Sequence, residues 1–327
     1  MDPAWQMDRV PEPVTLRPGG VEQFGSVTEL LDILRARRAD GSTPGTRADG
    51  HRVALAIEGG GNRAAYSAGM ALGLDELGLT ACFDAVYGTS GGALNGAWLL
   101  TGEAQRWLPS WASPEVAAAG VNDPRRLLRG GALVDLRVLV EHVYGHITPM
   151  DFEAILANPV TFHPMATDAA TGEAVDLHPY VVDRTTLQDA LRASSCLPMI
   201  AGRPVRLGGR GFVDGGLSEA VPFQTALVQG ATHVLVLRTR REDQTVTTSR
   251  AERAVLAPYF ALLARGAGRS HGRRHLAYAA ADAASHADVV QVRPPLGSPD
   301  VSRLGGSLDT VAEAIGIGRD VVVELFA

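Results

Sequence analysis

Two short apolar runs, each ending in a glycine-rich turn that opens a helix, constrain this chain more than any other feature. They occupy residues 53–96, VALAIEGGGNRAAYSAGMALGLDELGLTACFDAVYGTSGGALNG. The first turn is Gly59-Gly60-Gly61-Asn62-Arg63 and the second is Gly88-Thr89-Ser90-Gly91-Gly92. A near-continuous apolar run such as residues 52–58 suits a strand buried on both faces of a parallel sheet. Strand, helix, strand, helix in succession then implies right-handed crossovers and an α/β domain. A triple glycine at a helix start aims free N–H groups and the positive end of the helix dipole at whatever lies above it. A G-x-S-x-G between strand and helix is the pattern of a nucleophile elbow, which exposes a serine hydroxyl at the top of a sheet. Together they point to acyl transfer with a preformed oxyanion hole.

Composition narrows the alternatives. The chain has 327 residues and a formal charge of −6, with no long basic stripe, which argues against nucleic acid as a partner. All 30 basic residues are arginine, so chemistry that needs a lysine amine (Schiff bases, pyridoxal phosphate, Walker-type phosphate loops) is excluded. Cys82 and Cys196 stand far apart in apolar or small-residue surroundings and are expected as buried free thiols in a reducing compartment, the cytoplasm. The N-terminus lacks a basic region followed by an apolar run, and no stretch reads as a membrane span. No His/Cys/Asp cluster has metal-ligand spacing, so no metal is expected.

Taken in order, residues 1–25 read as an extended arm, and residues 26–39 as a helix with Ser26 and Glu29 at capping-box spacing. Residues 1–50 are thus an arm and a capped helix. Residues 51–327 form the main domain, with its motifs in 53–237 and a helical part in 238–327. The second strand is expected at 83–87. Residues 103–157, with Trp107, Trp111, Leu127, Leu128, Leu136, Leu139 and Val140, read as mostly helical and loop-like. They would form either a groove or lid near the site or a simple cover for the sheet. Residues 160–167 and 173–177 read as a hairpin, as do 205–207 and 211–213. A helix follows at 186–194 and another at 222–228. Strands follow at 233–238 and 289–292, and a helix closes the chain.

The glycine turn also fits a dinucleotide fingerprint, but that requires an acidic residue at the end of the next strand, where this chain has Gly88-Thr89-Ser90. As partners for Ser90, His233, His271, His275 and His286 all follow Asp214, so a Ser-His-Asp triad stays open by order. None of the four stands at a strand end among turn residues, and His271 and His275 lie in the basic stretch RSHGRRH, read as solvated surface. Asp214 ends a strand and is followed by Gly215 and Gly216, which can bring it to the same sheet edge as Ser90.

The three motifs in this order resemble the patatin-like phospholipase family. IEGGGNRAAYSAG is similar to its glycine-rich oxyanion motif, GTSGGALNG to its G-x-S-x-G elbow, and DGG to its Asp-Gly-Gly/Ala motif; PMATDAATGEAV and RASSCLPMIAGRPVRLGGRGFVDGGLSEAVP add to the likeness. The resemblance runs from about Val53 to Leu237 and is looser beyond. It implies a three-layer α/β/α fold with a mainly parallel central sheet, and lipid acyl hydrolase activity without a cofactor. It further implies a Ser90–Asp214 dyad in which Asp214 takes the serine proton. The N–H groups of Gly60 and Gly61 would hold the oxyanion, Arg63 would brace that loop, and Gly59, Gly88, Gly92, Gly215 and Gly216 would complete the motifs. Gly91, Asn62 and Ala220 depart from common family choices without touching the dyad. An acyltransferase using the same acyl-serine and a non-catalytic lipid-binding protein are the alternatives. The clusters Arg238/Arg240/Arg241 and Arg269/Arg273/Arg274 are read as solvated surface, with contact to anionic head groups of a membrane as the other reading.

Overall fold

The computed structural model describes residues 25–284 and 288–327, without the side chains of residues 25–27. The expected N-terminal arm, the Ser26 cap and His286 therefore lie outside the described residues.

Strand β1 (Val53–Ile57) shows how the layers arise. Val53, Leu55 and Ile57 enter the larger hydrophobic core, while Ala54 and Ala56 enter a second core on the other face. All five residues are buried, as a parallel strand covered on both sides must be. The remaining strands are β2 (Ala85–Thr89), β3 (Thr161–Asp168), β4 (Ala174–Asp176), β5 (Val205–Leu207), β6 (Arg210–Asp214), β7 (His233–Leu237) and β8 (Val289–Val292). The second strand thus begins and ends two residues later than expected and runs to the threshold of Ser90.

The order β3-β2-β1-β7-β8 is parallel throughout. β4 and β6 each pair antiparallel with β3, and β5 pairs antiparallel with β6. One detail of register positions the site. The N–H of Thr161 donates to Asp84 beside β2, and the N–H of Ala169 to Gly211 of β6; these two residues are an even number of positions apart, so they face the same edge of β3. The N–H of Asp168 donates to Glu173 on the opposite edge, next to β4. β2 therefore occupies one edge of β3 up to the Thr89–Met165 pair, and β6 continues that edge from the opposite direction, ending with Asp214 across from Ala166. The carboxyl ends of β2 and β6 abut.

Helices α1 (Gly25–Asp40), α2 (Ala64–Glu76) and α3 (Gly91–Leu99) supply the large core, together with the C-terminal helix. Short helices α4 (Ala104–Trp107), α5 (Pro114–Ala118) and α6 (Phe152–Ala157) follow, then α7 (Arg184–Ser194), α8 (Phe223–Val228), α9 (Arg250–Leu263), α10 (Arg265–Ala283) and α11 (Leu308–Phe326). α8 and α10 cover the alanine face of β1 through Phe223, Ala226, Tyr278 and Ala281. This is a three-layer α/β/α arrangement. α11 lies directly on α2: a Cβ added to Gly318 would stand 2.1 Å from the Tyr66 carbonyl oxygen, so the two helices approach to backbone contact.

Residues 103–157 are more fragmented than a mostly helical reading implies. Between the short helices lie 3₁₀ turns at Leu108–Ala112 and Pro124–Arg129 and a π-helix at Val138–Ile147. Trp107 and Tyr144 pack on Trp98 of α3, and Trp111 Nε1 donates to Asn95 Oδ1 at 2.8 Å. Leu128 is 89% exposed and Leu127 55%, so these two do not cover the sheet. Among the described residues no helix is long and apolar enough to cross a membrane.

Candidate active site

At the end of β2 the chain reverses sharply at Ser90, whose φ of 55° and ψ of −125° put a non-glycine residue in a conformation L side chains rarely adopt. Such strain costs on the order of 1–3 kcal/mol and persists only where the surroundings over-determine it. Here they do. The Ser90 N–H donates to the buried Ser194 Oγ at the end of α7 (2.9 Å), and the Ser90 carbonyl accepts from Ala93 and Leu94 in the first turn of α3.

The glycine turn after β1 sits beside this elbow. A Cβ on Gly59 would stand 2.5 Å from the Thr89 carbonyl oxygen and 2.9 Å from Ser90 Cβ, so only glycine lets the two turns touch. Gly61 has a positive φ of 59°, and a Cβ there would meet the Arg303 carbonyl oxygen at 2.2 Å. That oxygen accepts the Asn62 N–H at 3.0 Å. From the other side Thr239 Oγ1 donates to the Gly59 carbonyl at 2.9 Å. Beneath it the fully buried Glu58 accepts from Arg238 Nε (2.8 Å) and the Thr239 N–H (2.9 Å). The turn is held by these contacts, while the N–H groups of Gly60 and Gly61 are engaged by no other described residue. Arg63 packs beside Gly60, but its Nε is buried without a partner, and burial together with Arg240 lowers its pKa to about 10. Its side chain makes none of the hydrogen bonds that hold the loop; only its backbone N–H does, to the Gly60 carbonyl at 3.3 Å.

Asp214 closes β6 from the abutting side. Its N–H donates to the Cys196 carbonyl (2.9 Å), its carbonyl accepts from Thr167 Oγ1 (2.9 Å), and Oδ1 accepts from the Gly216 N–H (2.8 Å). Oδ2 is buried and makes no hydrogen bond of normal length, although the Ser90 hydroxyl stands near enough to favour its charge. Burial pushes the carboxyl above the usual carboxylate range, opposed by the Ser90 hydroxyl, the Gly216 N–H and the charges of Arg303 and Arg274. Gly215 brings the two strand ends into contact, since a Cβ there would strike the Met165 carbonyl oxygen at 2.5 Å and Thr89 Cγ2 at 3.0 Å.

Gly59, Gly60, Gly61, Ser90, Asp214 and Gly216 line one narrow cleft, whereas Gly88, Gly92 and Gly215 lie in the backbone that supports it. The rest of its wall comes from chain segments that sequence reasoning did not connect to it. Arg240, after β7, stacks its guanidinium over Tyr278 with 5.2 Å to the ring centre. Arg274 of α10 and Arg303, in the loop before α11, complete the polar side, while Leu197, Leu217 and Val246 supply apolar surface.

These placements correct the reading of the arginine clusters as solvated surface. Arg269 and Arg273 are exposed as expected, but Arg240 and Arg274 line the cleft. Arg238 is completely buried, because Glu58, Asp282 and Gln291 neutralise and bind it. His271 is likewise buried, with Nε2 3.1 Å from Glu252 Oε1. His233 sits at the start of β7, at the opposite end of the sheet from Ser90, and no histidine lines the cleft among the described residues. Ser194 is the other residue sequence reasoning passed over, although it lies within the stretch RASSC. Cys82 and Cys196 are free and buried, as expected.

With this geometry established, comparison with known proteins places the chain. Residues 55–227 match the model of the patatin-like phospholipase family. Over 195 residues the chain is 32% identical to the uncharacterized protein YjjU of Escherichia coli (strain K12), a match that takes in 58% of this chain and 52% of the relative. The chain thus spans about half the length of that curated relative. Among solved structures, VipD from Legionella pneumophila is similar with a TM-score of 0.43 at 14% identity, covering 85% of this chain and 67% of that one.

Proposed function

Since this chain belongs to the patatin-like phospholipase family, we propose that it is a lipid acyl hydrolase that cleaves carboxylic esters through an acyl-enzyme on Ser90, with Asp214 as its base. In this reading the Asp214 carboxylate takes the proton of the Ser90 hydroxyl as Oγ attacks the ester carbonyl. The N–H groups of Gly60 and Gly61 receive the oxyanion, a role that suits donors with no other engagement. Collapse of the intermediate breaks the carbonyl–alkoxide bond, and Asp214 returns its proton to the leaving oxygen. Water then attacks the acyl-serine, again giving up its proton to Asp214. The bond from the acyl carbon to Ser90 Oγ then breaks, Asp214 returns the proton to that oxygen, and the fatty acid departs.

A carboxylate of ordinary pKa is a weak base at neutral pH, and the burial of Asp214 strengthens it in the needed direction. The observation that carries the proposal is the abutting of β2 and β6 along one edge of β3, which sets a strained serine and a buried carboxylate in one cleft. The test is hydrolysis of a p-nitrophenyl acyl ester, with labelling by a fluorophosphonate probe. Wild type is expected to be active and labelled at Ser90, and Ser90→Ala to lose both. Wild-type turnover in Ser90→Ala would overturn the assignment.

A further inference from the structure

The cleft beside Ser90 is lined by four arginines and a single carboxylate, Asp214, on which Arg303 and Arg274 act through their charges. The four arginines are Arg63, Arg240, Arg274 and Arg303. Neither Arg63 nor Arg303 has a carboxylate within ion-pair distance among the described residues. Arg240 reaches Glu58 only at 3.7 Å, while that carboxylate is already bound to Arg238 at 2.8 Å. Arg274 shares Glu252 with His271. The Nε atoms of Arg63, Arg240 and Arg274 are all buried without a hydrogen-bond partner. Burying cations whose partners are incomplete is costly, and mutual repulsion adds to the cost. Burial and the neighbouring arginines hold both Arg63 and Arg274 below the usual arginine range. A site of this kind is completed by an anion. Three of its four arginines lie beyond residue 227, where the family match ends.

We propose that Arg240, Arg274 and Arg303, with Arg63, form a subsite for a terminal phosphate, and that the preferred substrate is an acyl ester whose alcohol carries a phosphomonoester close to the scissile bond. This rests on the hydrolase reading above. A phosphomonoester brings up to two negative charges and three acceptor oxygens, which match planar, forked guanidinium donors. A zwitterionic headgroup would instead carry a quaternary ammonium into a wall of arginines. Arg303 is the most direct probe. Its backbone carbonyl holds the Asn62 N–H, so a side-chain substitution removes the charge and leaves that contact with the glycine turn in place.

The experiment compares kcat/KM for a monoacylglycerol phosphate and the matching monoacylglycerol, in wild type and in Arg274→Gln and Arg303→Gln, with glycerol phosphate and inorganic phosphate as inhibitors. The expected ratio in wild type favours the phosphate ester by about tenfold or more, falling by a similar factor in each variant, as loss of a charged hydrogen bond implies. Glycerol phosphate is expected to compete with the substrate. A ratio near one, or one that both folded variants leave unchanged, overturns the proposal, even if inorganic phosphate inhibits, because the site would then serve a free anion. If wild type turns over no ester, the hydrolase reading falls by itself and binding decides the subsite. Glycerol phosphate should then raise the unfolding temperature of wild type in a concentration-dependent way and that of Arg303→Gln markedly less. Equal or absent shifts overturn the subsite.

Discussion

Replacing Asp214 by asparagine should make the protein more stable and its chemistry slower, with a pH dependence that identifies the cause. The carboxyl is 3% exposed; Oδ1 is bound by the Gly216 N–H, and Oδ2 makes no hydrogen bond of normal length. Leaving a buried acceptor unmatched costs roughly 1–3 kcal/mol, and more when it is charged. Asparagine keeps the shape and the Gly216 contact and removes the charge, so Asp214→Asn should gain stability of about that size at pH 8. The sign follows from linkage. The folded-state pKa is raised above the unfolded value, so between the two the folded chain holds more protons, and stability falls as pH rises through that window. The advantage of Asp214→Asn is therefore full above the folded pKa, shrinks on acidification, and vanishes below the ordinary carboxylate range. Urea unfolding of both proteins across this pH series measures it, alongside ester turnover, which should drop on the order of 10²–10⁴-fold. A variant less stable than wild type at pH 8, or a gain independent of pH, would refute the claim that an under-solvated carboxylate is stored at this position.

Three further outcomes follow from the same geometry. If Asp214 must be ionised to act, the acid limb of kcat/KM should lie above the usual carboxylate range and disappear from the residual activity of Asp214→Asn; a wild-type limb at or below pH ~4 contradicts this. Gly61→Ala should lower kcat about 10²–10³-fold with a smaller change in KM, because a Cβ at positive φ, 2.2 Å from the Arg303 carbonyl, must move the turn that presents the oxyanion donors. Steady-state kinetics on a p-nitrophenyl ester separates the two constants. Glu58→Gln should destabilise the fold by roughly 3–5 kcal/mol, toward the lower end because Asp282 still pairs with Arg238, as urea unfolding would record.

Much of the fold is legible in the sequence because it is written in short-range terms. The apolar run of β1, the glycine turns and the elbow each state a local conformation. The hairpin that became β5 and β6 was marked by its own Gly208-Gly209-Arg210 turn. Residues 103–157 resisted the same reading, since their short helices, 3₁₀ turns and π-helix are held by packing of Trp98, Trp107 and Tyr144 rather than by a repeating pattern. The arginines misled for a related reason. In sequence Arg238 and Arg240 look alike, yet Arg238, directly after β7, is fully buried in an ion-pair network with Glu58 and Asp282, while Arg240, two residues further on, lines the cleft.

By itself, then, the sequence determined the parts that depend on backbone conformation within a few residues: a parallel α/β sheet, a serine on a sharp turn, a glycine loop with free N–H groups, and an aspartate at a strand end. Only the tertiary structure decided what those parts meet. It placed β6 on the same edge of β3 as β2, which is what brings Asp214 to Ser90. It also set Arg303 and α11 against the glycine turn and α2, from residues more than 200 positions downstream. The physical reason is that strand register and helix docking are settled by the burial of whole faces, and no local stretch of sequence contains both partners of such a contact.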